Sequence, residues 1–323
     1  MVRGWGSLLA LALAGCTAAP VDDAAPQSGH PELVEGPTLV SLNPCTDAIL
    51  TEVADPQQIL AISHYSQDPA ASSMDLAKAR QFRATSGALE EVLSLRPDLV
   101  VDGNFTAPAT QAALARLGLK LEQVPIAATV PESVAQVRRL AALAGHPERG
   151  EALVRRIEAA LAASKAPAGA PVPAIVWQGG GIVAGEGTLI TALLAHTGFT
   201  NSAAARGLAQ ASHLPLEAML ADPPRVILAA GNSHGDEDRL LSHPALAGLH
   251  NTTRASLEPS LLWCGGPTIP KTLARLAEVR RRLRPVGGTT PQPPPLKRRG
   301  SHESAHLAPS SSEEGVGGGG VRQ

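Results

Sequence analysis

Apolar and polar positions divide this chain into short buried-looking runs separated by amphipathic segments. Residues 39–42, 59–62, 98–101, 120–124, 174–177 and 226–229 read as strands, because each is a brief aliphatic run bounded by turn residues. Helices are predicted around 48–53, 89–95, 108–117, 131–144, 188–197, 216–221, 237–241 and 269–283. Thr129-Val130-Pro131-Glu132 is a capping-box pattern that opens one of them. The longest periodic stretch is 147–164, with Pro147 at its start, Glu148 and Glu151 near its positive end, and Leu153, Ile157, Ala160 and Leu161 along one stripe.

The segments flanking that stretch look like two versions of one unit. Residues 89–101 and 216–228 match in constant register, Leu89 with Leu216, Glu90 with Glu217 and Pro97 with Pro224. Each copy is a short helix opening with Leu-Glu, then a Pro that stops it, then an apolar strand. Strands alternating with helices predict largely parallel sheets, whose ligand face is formed by the loops after the strand C-termini. The expected fold is therefore α/β: two Rossmann-like lobes with central parallel sheets, joined by one long rigid interlobe helix. The expected boundaries are an N-terminal lobe over 38–146, the joining helix over 147–165 and a C-terminal lobe over 166–285.

The ends of the chain read differently. Arg3, the apolar run 8–13 and the sequence Leu13-Ala14-Gly15-Cys16 form a lipoprotein signal peptide over 1–15, with Cys16 as the lipidated residue. The run is too short to span a bilayer. Residues 16–37 read as a flexible tether, and 286–323, rich in Pro, Ser and Gly, as a disordered tail. The expected location is periplasmic and membrane-anchored through the lipid.

A formal net charge of −2 gives no electrostatic case for nucleic-acid binding. Catalytic patterns are weak. His302 and His306 formally match a zinc-protease motif but lie in the tail, and Gly179-Gly180-Gly181 lacks the Gly-Lys-Ser/Thr of a phosphate loop. No enzymatic activity and no resident cofactor are expected.

Several stretches together carry a family resemblance: 39–44 (Leu-Val-Ser-Leu-Asn-Pro), 62–66 (Ile-Ser-His-Tyr-Ser), 89–101, the long helix, 184–188 (Ala-Gly-Glu-Gly-Thr) and 216–228. In these, the chain resembles the class III periplasmic binding proteins that deliver cobalamin, ferric siderophores or haem to ABC importers. The resemblance implies a stiff clamp that holds its ligand, which would contain cobalt or iron, between the lobes. It also implies a permease dimer with a cytoplasmic ATPase as partner, docked through Glu90 and Glu217, and a monomeric binding protein.

Aromatic residues make up only 2 % of the chain, so their positions are informative. Tyr65, Trp177 and Trp263 fall in or beside loops after predicted strands and are expected in the cleft, with Phe82 and Phe105 as weaker candidates. Asn43, His64 and His234 are further cleft candidates. Cys45 and Cys264 are both expected to face the cleft, and three alternatives stand for them. They could form an interlobe disulfide, they could ligate metal together with His64, or they could be inert buried residues. The metal option supports a second reading of the chain, as a Cys/His metal-binding enzyme or metallochaperone on the same scaffold.

Overall fold

The computed structural model describes residues 1, 36–104, 107–231 and 241–283. The signal peptide, Cys16, most of the tether, Phe105, His234 and the tail lie outside the described residues. No described helix is long and apolar enough to cross a membrane.

The first half alternates β1 (Leu39–Ser41), α1 (Pro44–Val53), β2 (Ile59–Ser63), α2 (Leu76–Ala79), β3 (Ala84–Thr85), α3 (Leu89–Leu95), β4 (Leu99–Gly103), α4 (Pro108–Arg116) and β5 (Lys120–Val124). Its five strands form one sheet in the order β3-β2-β1-β4-β5, and every pair is parallel. The central strands β1 and β4 are buried on both faces, with Leu39, Val40, Val100 and Val101 fully enclosed. This is why they read as continuous apolar runs.

Two helices follow, α5 (Val130–Leu143) and α6 (Pro147–Ala163). The predicted capping box of α5 is formed: Thr129 Oγ1 accepts from Glu132 N while the Glu132 carboxylate accepts from Thr129 N. At about 1.5 Å per residue, the 17 residues of α6 extend roughly 26 Å. The helix buries Leu153, Val154 and Ile157 against α5 and α1 on one side of the chain and α10 (Ile269–Arg282) on the other. Gly150 permits the closest approach, since a Cβ there would stand 2.5 Å from that of Ala141.

The second half holds β6 (Val172–Gln178), β7 (Ile182–Ala184), α7 (Leu189–His196), β8 (Phe199–Asn201), α8 (Ser202–Ala205), β9 (Gln210–His213), α9 (Leu216–Ala221), β10 (Val226–Ala230) and β11 (Thr253–Ser256). Strands β11, β10, β6 and β8 pair in parallel, while β7 and β9 add an antiparallel edge that the apolar pattern does not announce. The repeated unit is realised in register: α3 and α9 start at Leu89 and Leu216, and β4 and β10 start at Leu99 and Val226.

Candidate functional site

Both sheets direct the C-terminal ends of their parallel strands toward one cleft of about 410 Å³. From the first half, the loops after β1, β4 and β5 supply Asn43, Asn104, Pro125 and Ile126, the first turn of α1 adds Cys45 and Thr46, and α5 adds Gln136. From the second half come Gln178, Ile182, Thr188, Gln210, Ala211, Leu262, Trp263 and Cys264.

Local chemistry explains how these residues are presented. Asn43 lies two residues beyond β1 and caps α1, its Oδ1 accepting from Cys45 N at 2.8 Å, with Pro44 at the first helical position. Cys45 is bonded to Cys264, with 5.0 Å between Cα atoms, so the disulfide forms part of the cleft wall. Next to it, Gly266 N donates to Ser133 Oγ at 2.7 Å, which ties the last loop to α5. Across the cleft, Ala211 adopts φ 57° where the β7–β9 register shifts. A non-glycine residue in the left-handed region is uncommon, and here it lies in the wall beside Gln210.

None of the described lining residues carries a formal charge. The polar groups are primary amides and threonine hydroxyls. Ile126, Ile182 and Trp263 are 52, 41 and 47 % exposed, so both halves offer large apolar side chains to the opening.

Directly behind this wall sits Asp47, fully buried on α1. Its Oδ2 accepts from Ser63 N at 2.9 Å and Ser66 Oγ at 2.6 Å, while Oδ1 has no hydrogen-bond partner. Burial pushes its pKa up to about 8, with the hydrogen bonds from Ser66 and Ser63 opposing the rise and the Asp102 charge adding to it.

The structure brings Asn43, Cys45, Trp263 and Cys264 together at the cleft and separates the other described candidates from it. Trp177 is a core residue, fully buried, with its indole N–H donating to Leu214 O at 3.3 Å. It belongs to a strand held between neighbours on both edges and covered on both faces, so strand position, rather than ligand contact, accounts for it. His64 and Tyr65 stack on each other at 4.0 Å after β2, and neither lines the cleft. Strand β2 lies on the far side of β1 from β4 and β5, which carries its loop away from the cavity. Phe82 packs against the main core instead.

The same placement corrects the metal-ligating set. The two sulfurs are bonded to each other and His64 is elsewhere, and no group of three or more His, Cys, Asp or Glu among the described residues could hold a metal ion.

Asn104, Ile126, Gln136, Ile182 and Gln210 complete the lining at positions outside the candidate set that the sequence offers. The rule that ligands sit beyond strand C-termini would have found Asn104 and Ile126. No comparable signal marks Gln210, whose strand is part of the antiparallel addition.

Glu90 and Glu217 occupy equivalent positions in the first turns of α3 and α9. Both are exposed, and neither has an ion pair among the described residues.

A family model described as periplasmic binding protein matches residues 39–255. No curated protein matches the chain. Among solved structures, a periplasmic haem-binding protein from Roseiflexus sp. RS-1 is similar at 22 % identity and a TM-score of 0.61, over 76 % of this chain and 97 % of that one. The periplasmic haem-binding protein HutB of Vibrio cholerae has 17 % identity and a TM-score of 0.62, over 75 and 98 %. The vitamin B12-binding protein BtuF of the same organism has 16 % identity and a TM-score of 0.57, over 76 and 98 %. These likenesses establish a shared fold.

Proposed function

The chain belongs to the periplasmic binding protein family, a family of binding proteins and not of enzymes, and from that premise we propose that it is the extracytoplasmic capture component of an ABC importer. Its cargo is a metal-containing macrocycle or chelate held between the two lobes, and the cleft favours a neutral corrinoid of the cobalamin type. The observation that carries this reading is the cleft lining, uncharged among the described residues, amide-bearing and walled by exposed Ile126, Ile182 and Trp263. A corrin ring fringed by carboxamides complements such a surface through hydrogen bonds to amides and apolar contact with its faces. Haem would call for a cation near its carboxylates and an axial donor to its iron, and an anionic ferric siderophore would call for arginine or lysine. The described lining supplies none of these.

Cargo is handed to a permease dimer powered by a cytoplasmic ATPase. Glu90 and Glu217, exposed and without an ion pair among the described residues, are the docking charges, one on each copy of the repeated unit, and would meet arginines of the permease in charge-assisted contacts. The sequence 13–16 supports cleavage before Cys16 and a lipid anchor in the periplasm, with the protein acting as a monomer. Replacing both glutamates, Glu90→Arg with Glu217→Arg, tests the assignment. Uptake of radiolabelled cyanocobalamin by cells should be lost while the purified variant binds it as the parent does. Uptake at the parental rate would overturn the docking role.

A further inference from the structure

Beside the main cleft lies a second cavity of about 240 Å³ between the end of β5 and the outer face of α5. Val124, Pro125, Ile126 and Gln136 line both cavities, so the two compartments share a wall. The hydrogen bond from Gln136 Nε2 to Pro125 O, 2.5 Å, spans that wall and makes the Gln136 side chain the divider.

The two charged side chains around the second cavity are both held within the protein. Glu132 is held by Ala128 N and Thr129 N in the capping box, and Arg139 is paired with Glu122 at 2.5 Å. What remains is an apolar hollow whose edge, Ile126, is half exposed. Burying such a side chain under a ligand recovers hydrophobic free energy at about 25 cal/mol per Å².

We infer that this side pocket is a second ligand compartment, which takes the uncharged aryl end of an arm of the molecule whose body fills the main cleft. The inference rests on the corrinoid reading of that cleft. The occupant is an arm of the same ligand because the pocket shares Val124, Pro125, Ile126 and Gln136 with the main cleft.

The test compares cyanocobalamin, whose arm runs through a phosphodiester and a ribose to a benzimidazole, with cobinamide, which lacks that whole nucleotide, and a variant that fills the pocket then isolates the contribution of the aryl end. The full-length protein should bind cyanocobalamin at least about tenfold more tightly, a difference of about 1.4 kcal/mol. Ala135→Trp places an indole in the pocket from the exposed face of α5, where a large side chain leaves the core untouched. It should weaken cyanocobalamin about tenfold and leave cobinamide unchanged, with the thermal midpoint preserved. Equal affinity of the parent for both corrinoids, or equal weakening of both by the variant, overturns the inference. If neither corrinoid binds the parent, the corrinoid reading has failed, and the pocket is judged separately with the neutral fluorophore N-phenyl-1-naphthylamine. Saturable enhancement that Ala135→Trp abolishes supports an apolar compartment there; identical fluorescence with parent and variant overturns it.

Discussion

Cys45, at the start of the first helix, is covalently joined to Cys264, in the last loop before the final helix, across 219 residues of chain. Each cysteine belongs to a different half of the duplicated fold, so one bond fixes the two walls of the cleft relative to each other. Closing so long a loop removes much of the freedom of the unfolded chain, worth up to about 5 kcal/mol. Replacing both cysteines, Cys45→Ser with Cys264→Ser, should lower the guanidinium unfolding free energy by about 3–5 kcal/mol. Adding a thiol reductant should lower that of the parent similarly and leave the double variant unaffected. A parent indifferent to reductant would contradict the covalent link.

Asp47 gives stability a pH dependence of a definite sign. Its folded pKa of about 8 lies well above the ordinary carboxylate value of 3.8. Between these values the unfolded chain has lost this proton while the folded protein keeps it, so this residue's contribution to stability falls as pH rises from about 4 to about 8 and levels off above. Asn at this position can accept from Ser63 N and Ser66 Oγ without ionising. Asp47→Asn should therefore be more stable than the parent at pH 8, by a few kcal/mol at most, and no more stable at pH 4. Chemical denaturation at the two pH values checks this, and a variant destabilised most at pH 8 would refute it.

The turn that carries Cys264 admits only glycine at one position. Gly266 has φ 58°, and a Cβ there would lie 2.8 Å from Ile49 Cγ1. Gly266→Ala should cost about 2 kcal/mol or more through backbone strain and overpacking against α1, seen as a lowered thermal midpoint. Gly248→Ala, at a site where a Cβ would meet nothing within 4 Å, serves as the control and should change little.

Neutrality of the cleft can be probed by one substitution. Gln210→Glu places a carboxylate in a wall that holds no charge among the described residues. Cyanocobalamin binding should weaken at least about tenfold by desolvation of the unpaired charge, measured by equilibrium dialysis, while the far-ultraviolet circular dichroism is unchanged. Undiminished affinity would place the ligand elsewhere.

Much of the architecture is legible in the sequence because doubly covered parallel strands are continuous apolar runs. Residues 99–101 and 226–228, and the long amphipathic stripe after Pro147, announce themselves in this way. Short strands such as β3 and β7 do not, since two or three residues define no period. For the site, Asn43, Cys45, Trp263 and Cys264 are identifiable because they follow or precede regular elements in cleft-facing loops. Trp177 misleads for a physical reason: at the end of a central strand, an indole that fills the core and one that faces a ligand leave the same mark on the sequence. His64 illustrates a further limit, because strand order, and not strand sequence, decides which loops converge.

Binding of a neutral corrinoid between the two lobes is read out by tryptophan fluorescence of the protein. Trp263 stands half exposed in the cleft wall, whereas Trp177 is sealed in the core and supplies a steadier background. Cyanocobalamin should quench saturably at one equivalent, with a Kd of about a micromolar or tighter, near −8 kcal/mol, and Trp263→Phe should remove most of the signal. Saturable quenching by haem or a ferric siderophore, with none by cyanocobalamin, would contradict the account.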